Sequence, residues 1–168
     1  MLRTLLRASM LAAILIAAAF SYFTKPWQYP QSLAESVCAG NIVGTFRRLQ
    51  AGDRPDSTDP AWPYDGRAMF LAIDNTGCPN PMAFGLVDLL HFYGADVNQT
   101  TTSGYTLLML AAGEGNVSMT RKLIRWGAHV DEQDSAGHTA LVYAAELGHH
   151  DIVRLLIENG AAAANKDK

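Results

Sequence analysis

The feature that most constrains the fold of this chain is a motif that recurs every 33 residues. The recurring positions are Gly104 and Gly137, Thr106 and Thr139, Leu108 and Leu141, Ala111-Ala112 and Ala144-Ala145, Gly115 and Gly148, Leu123 and Leu156, and Gly127-Ala128 and Gly160-Ala161. Gly94-Ala95 lies 33 residues before Gly127-Ala128, so the period extends upstream. A period of this length predicts stacked units, because one short unit cannot bury its apolar face alone.

Two of these units resemble ankyrin repeats. Residues 135–161 (SAGHTALVYAAELGHHDIVRLLIENGA) are close to the family consensus, and residues 103–131 (SGYTLLMLAAGEGNVSMTRKLIRWGAHVD) are a looser copy. The Thr-Pro-Leu-His that opens a family repeat reads TLLM at 106–109 and TALV at 139–142. The resemblance implies an all-α solenoid in which each repeat has two antiparallel helices and a projecting finger loop.

Two earlier repeats are degraded. Residues 68–73 (AMFLAI) read as a first helix and the stretch from Pro81 to Tyr93 as a second, separated by an enlarged turn, DNTGCPNP, at 74–81. Upstream, residues 32–39 and 41–50 read as a shortened first repeat. The chain is therefore expected to hold four repeats after a separate N-terminal segment. The boundaries are residues 1–30 for that segment, 31–164 for the repeat domain, about 31–61, 62–98, 99–131 and 132–164 for the repeats, and 165–168 for a polar tail.

The first thirty residues have the layout of an export segment. Residues 1–30 contain three basic residues and no acidic residue, and residues 8–23 (ASMLAAILIAAAFSYF) carry no charge. A basic start before an apolar run predicts a signal peptide or an N-terminal hydrophobic helix that anchors the chain in a membrane. Cleavage near Ala19 would give a soluble periplasmic protein. Without cleavage, residues 8–23 would hold the protein at the inner membrane.

The repeat domain is acidic. Residues 31–168 contain ten Lys and Arg residues and sixteen Asp and Glu residues, a net charge of −6. Nucleic-acid binding needs a basic face that neutralises phosphates, so we expect no nucleic-acid partner.

The sequence carries no recognisable catalytic or metal-binding motif. It lacks a G-x-S-x-G element, a phosphate loop and any histidine pair at metal-ligand spacing. His149 stands where the family usually has a structural loop histidine. We therefore expect a non-enzymatic protein with no cofactor, no metal and no small-molecule substrate.

The resemblance implies that partner contacts come from variable positions on a concave surface formed by the fingers and the first helices. Tyrosine, tryptophan and arginine are enriched in binding hot spots. The candidate partner-binding residues are Tyr64, Arg67, Tyr93, Tyr105, Trp126, His138 and Glu146. Tyr93 and Trp126 occupy the same repeat position. The acidic residues Asp131, Glu132 and Asp134 on the last finger favour a partner with a basic patch.

The two cysteines are predicted to form a disulfide. In the repeat register, Cys38 and Cys78 lie at the same end of neighbouring repeats. The DNTGCPNP turn gives the backbone slack to close the gap between packed helices, and an exported protein meets an oxidising compartment. The alternative is two unpaired buried thiols.

These observations predict an exported protein-binding module that protects or inhibits one partner in the cell envelope. One alternative is an immunity protein that neutralises a secreted toxin. A second is a membrane-linked scaffold without inhibitory action. The sequence does not choose among the three.

Overall fold

The computed structural model describes residues 32–58, 64, 67–74 and 83–161, with only the backbone of residues 83 and 84. The chain divides into two units, Met1–Pro30 and Gln31–Lys168. The predicted export segment, the polar tail, Cys78 and the DNTGCPNP turn beyond Asp74 lie outside the described residues. None of the helices in the described part of the chain has the length and apolarity that a bilayer crossing needs.

In the described part of Gln31–Lys168 the regular elements are helices, and they follow one another along the chain in pairs. The pairs are α1 Leu33–Cys38 and α2 Ile42–Gln50, α3 Ala68–Ile73 and α4 Ala83–Phe92, α5 Leu107–Gly113 and α6 Val117–Arg125, and α7 Ala140–Glu146 and α8 His150–Glu158. The predicted α3 agrees at both ends, whereas α4 is shorter than the predicted stretch from Pro81 to Tyr93. The only extended pairing within the described ranges is one antiparallel bridge between Thr100 and Thr106, at the base of a finger.

The helices form two layers. The first helices of the repeats, α1, α3, α5 and α7, pack side by side in chain order, and this row is called the first-helix layer. The second helices, α2, α4, α6 and α8, form the second-helix layer, in which α2 packs on α4 and α6 on α8. Each helix also packs on its partner within the repeat, so a single core runs along the stack.

Helix starts and ends in the later repeats follow the sequence signals. Thr106 Oγ1 accepts the Met109 N–H at 3.1 Å and Thr139 Oγ1 accepts the Val142 N–H at 3.4 Å, so both threonines cap first helices. Gly127 follows α6 with φ +90°, the left-handed region predicted for a glycine cap. The helix α3 departs from this scheme, because Arg67 at its start makes no side-chain cap bond.

Burial decreases from the centre of the first-helix layer to its last helix. All six residues of α3 are buried, and so are the first six of the seven residues of α5. In α7 only Ala140 and Ala144 are buried. Interior repeats are therefore covered by neighbours on both sides, whereas the last described repeat keeps apolar side chains at its surface, such as Leu147 at 58% exposure.

His149 ties the last two repeats together. Its Nε2 atom lies 2.9 Å from the Gly113 carbonyl oxygen, to which it donates. The ring also lies against Gly115, where an added Cβ would come within 2.7 Å of it. This contact supports the structural role expected for His149.

Candidate functional site

Three tyrosines from successive repeats lie along one surface, on the fingers and the first-helix layer. Tyr64 precedes α3, Tyr105 precedes α5, and Tyr143 lies within α7. The Tyr105 and Tyr143 rings meet edge to face, with centroids 5.2 Å apart. Tyr64 and Tyr105 line a shared cavity of about 280 Å³, whose other walls are Thr101, Thr102 and Ser103. We call the surface formed by Tyr64, Tyr105 and Tyr143 the tyrosine face.

Contacts with neighbouring rings fix the positions of the tyrosine side chains. Tyr64 stacks on the buried Phe70 ring, with centroids 5.4 Å apart. His138, on the finger before α7, meets the Tyr143 ring at 5.6 Å. All three tyrosines are half-buried, so each presents part of its ring to solvent while its position is fixed by packing.

An aspartate orders the last finger against Tyr143. Asp134 Oδ1 accepts the backbone N–H groups of Ala136 and His138, each at 2.9 Å, and Oδ2 accepts the Tyr143 hydroxyl at 2.6 Å. The hydrogen bond with Tyr143 lowers the pKa of Asp134 and, together with burial, raises the pKa of Tyr143 to about 12. Asp134, which the sequence analysis names among the acidic finger residues that favour a basic partner, thus also accepts hydrogen bonds that order the finger.

The tyrosine face is electrically negative. Burial raises the pKa of Tyr64 and of Tyr105, and the negative charge of Glu114 contributes to both shifts. Glu146 has the same effect on Tyr143. Glu114 and Glu146 are both exposed. At neutral pH the face therefore offers neutral phenolic hydroxyls beside carboxylates.

Arg67 lies at the start of α3, where its backbone N–H donates to the Tyr64 carbonyl at 3.2 Å. Its side chain is half-buried, and the buried Nε atom has no hydrogen-bond partner among the residues that the structure describes. Its positive charge lowers the pKa of Asp56, although burial dominates and the net shift of Asp56 is upward. Arg67 therefore lies next to Tyr64 and is in electrostatic contact with the preceding finger.

Two of the predicted site residues lie elsewhere. Tyr93 and Trp126 follow the second helices α4 and α6, and their ring contacts are with other residues. Tyr93 meets Phe46 at 6.1 Å and Phe92 at 5.7 Å, and Trp126 stacks on His91 at 4.0 Å. The predicted set therefore divides between the tyrosine face and the second-helix layer.

Sequence reasoning did not select Tyr143. It occupies the repeat position of Leu110, which is buried in the preceding repeat. In the last described repeat the same position is only half-buried. The available signal was the change from an aliphatic to an aromatic residue at a core position.

Of the two cysteines in the disulfide prediction, the structure describes one. Cys38 ends α1, is half-buried against the core and is not a free thiol. Cys78, the other cysteine of the sequence, lies outside the described residues. The pairing stays a prediction.

The described residues contain no group of three or more His, Cys, Asp or Glu side chains placed to hold a metal ion. The polar groups of the tyrosine face are hydroxyls and separate carboxylates. Such a surface can accept hydrogen bonds and attract cations from another molecule.

Comparison with known proteins identifies the family. A sequence model described as ankyrin repeats, in three copies, matches residues 69–167, which is more than half of the chain. The comparison with curated proteins gives no match. The family match covers the last three helix pairs, and α1 with α2 adds a pair before it. Ankyrin repeats indicate a protein–protein interaction module, and the family is generally non-catalytic. The chain therefore belongs to the ankyrin-repeat family.

Proposed function

We propose that this protein binds a basic segment of a protein partner through its tyrosine face. The observation that carries the proposal is the row formed by Tyr64, Tyr105 and Tyr143, which continues across three repeats beside exposed carboxylates. A partner that spans several repeats would contact all three rings at once.

The chemistry of the face suits lysine or arginine side chains. Tyrosine offers a large, rigid contact area with a hydroxyl, and its ring face attracts cations. Glu114 and Glu146 add negative charge at the same surface. Opposite charge on the partner would raise the association rate and select against acidic competitors.

We propose that the partner is met outside the cytoplasm. The support is the order of the N-terminal residues, a basic start followed by the uncharged run at 8–23. N-terminal sequencing of the mature protein tests this proposal. A chain that begins at Phe20 or Tyr22 indicates a cleaved signal, and an intact N-terminus in the inner-membrane fraction indicates an anchor. An intact chain recovered only from the cytoplasm would contradict export.

Binding is proposed to modulate an envelope protein, either by protecting it or by inhibiting it. The experiment is affinity capture from envelope extract with the full chain as bait, followed by an activity assay of the captured protein with and without the bait. Loss of a toxic activity would identify an immunity protein. Unchanged activity would identify a scaffold.

Surface variants locate the contact. We expect Tyr105→Ala to cost about 2 kcal/mol of binding free energy if Tyr105 is a hot spot. The double variant Glu114→Gln with Glu146→Gln should weaken capture while leaving the fold intact, because both side chains are exposed. Glu158→Gln is the matched control, since Glu158 is also exposed but lies on α8 in the second-helix layer. Capture by both tyrosine-face variants at the parent level would contradict the proposal.

A further inference from the structure

A groove in the second-helix layer has a different chemistry from the tyrosine face. It has a volume of about 510 Å³ and is bordered by α4 and α6. Its lining residues are Asp88, Ser118, Arg121, Lys122, Arg125 and Trp126. We call it the arginine groove.

The aromatic wall of the arginine groove is fixed in place. Trp126 stacks on His91, with ring centroids 4.0 Å apart and an interplanar angle of 19°. Lys122 Nζ lies 5.4 Å from the Trp126 ring centroid and 2.7 Å from Asp88 Oδ1. These contacts join α4 to α6, so the Trp126 ring would lose little conformational freedom on binding.

Two positive charges in the groove are uncompensated. Arg121 and Arg125 are exposed, and neither makes an ion pair with any residue that the structure describes. They lie one helical turn apart on α6, a separation of about 6 Å along the helix axis. Lys122 and Asp88 offset each other. The groove therefore carries a net charge of +2 on a repeat domain whose net charge is −6.

We infer that the arginine groove binds an acidic segment of a protein partner, with carboxylates on Arg121 and Arg125 and an apolar side chain against Trp126. A guanidinium group presents paired N–H donors that match a carboxylate. Arginine and tryptophan are also the residue types enriched in binding hot spots. The inference goes beyond the proposed function, because it concerns another surface and a segment of opposite charge.

The number of basic residues in the groove favours a short acidic peptide over a membrane surface or a nucleic acid. Attachment to an anionic membrane typically uses about 4–8 clustered basic residues, and nucleic-acid binding needs a basic track along successive phosphates. The groove supplies two free cations beside Asp88. Two carboxylates on a short peptide match that number.

The test uses the full chain and a fluorescein-labelled polyglutamate peptide that contains one central phenylalanine. Fluorescence anisotropy measures its binding to the parent, to the double variant Arg121→Gln with Arg125→Gln, and to Arg154→Gln. Arg154 is the matched control, because it is exposed on α8 at the repeat position of Arg121 and does not line the groove. Circular dichroism verifies that the variants remain helical.

We expect the double variant to weaken peptide binding by about tenfold or more and Arg154→Gln to change it by less than about twofold. A peptide with glutamine in place of glutamate should not bind. The inference is overturned if the parent does not bind the acidic peptide, or if the double variant binds it like the parent. It is also overturned if phosphatidylglycerol vesicles, rather than the peptide, show binding that depends on Arg121 and Arg125. None of these results bears on the tyrosine face, so the two proposals fail separately.

Discussion

The two C-terminal repeats and the two N-terminal repeats are held together by different means. In the C-terminal pair, local signals are strong: threonines cap α5 and α7, and His149 reaches across to the preceding repeat. In the N-terminal pair, α3 has no side-chain cap, yet all six of its residues are buried. Ser32 caps α1, so the weak local signal is that of α3, where burial of the whole helix offsets the missing cap.

Long-range polar contacts also support the N-terminal pair. Asp56, on the first finger, accepts the Asp96 backbone N–H at 3.1 Å and lies 3.4 Å from Gln99 Nε2. These contacts join segments forty or more residues apart in the chain. A repeat can therefore depart from its consensus when contacts with the neighbouring repeat replace the missing local ones.

Truncation of a buried side chain in α3 should have the largest effect on the free energy of unfolding. Phe70 is fully buried, so Phe70→Ala should lower the free energy of unfolding by about 3–5 kcal/mol. Phe92→Ala is the control, because Phe92 is 83% exposed and its loss should cost less than about 0.5 kcal/mol. Urea unfolding measures both. Equal costs would mean that burial of α3 does not support the N-terminal pair.

Loss of the predicted disulfide should rank second. Cys38 and Cys78 would close a loop of about forty residues, so Cys38→Ser should cost about 3–4 kcal/mol in the loop-entropy account. Urea unfolding without reductant compares this variant with the parent, and the reduced parent should resemble the variant. Two free thiols in the denatured, unreduced parent would contradict the bond.

Cap removal should show a smaller, asymmetric effect. Thr106→Ala or Thr139→Ala should each cost about 1 kcal/mol, because each removes a helix cap. Arg67→Ala removes no cap and should cost less than about 0.5 kcal/mol. Thermal unfolding of the three variants makes the comparison. A cost at Arg67 that matches the threonines would show that α3 depends on the residue before it after all.

The smallest expected effect is a difference between the two finger aspartates, Asp56 and Asp134, in how their contributions to stability depend on pH. Burial raises the pKa of Asp56 above 3.8, so the folded protein binds this proton more tightly than the unfolded chain does. The contribution of Asp56 to stability therefore improves as the pH falls through the folded pKa to 3.8. The pKa of Asp134 is lowered, so its contribution is present above 3.8 and disappears as the pH falls below that value. At neutral pH, Asp56→Asn should stabilise slightly and Asp134→Asn should destabilise. Unfolding curves at neutral and acidic pH test the signs, and the same sign for both variants would contradict them.

The 33-residue period was sufficient to predict the helix pairs and the family. The apolar run AMFLAI located α3 at both ends, although that helix has no side-chain cap. The period could not fix the start of α4, because the enlarged turn before it has no counterpart in the later repeats.

The candidate site was predicted in part. Tyr64, Tyr105 and His138 lie on or against the tyrosine face, because finger positions are set by the repeat register. Trp126 was assigned to the same surface as Tyr105, but its stacking partner is His91 on the neighbouring second helix. Residues at the same repeat position are expected at equivalent places along the stack. The side-chain rotamer and the residues of the neighbouring repeat decide which aromatic rings come into contact.

The complete burial of α3 has a consequence for hydrogen exchange. An amide in a surface helix can exchange through local fraying, but a helix enclosed by neighbours exchanges only when those neighbours separate. The amides of Leu71 and Asp74 donate at the two ends of α3, to the carbonyls of Arg67 and Phe70. We expect these protons to be among the slowest in the described chain to be replaced by deuterium. A repeat that departs from the family consensus would then be among the last to open.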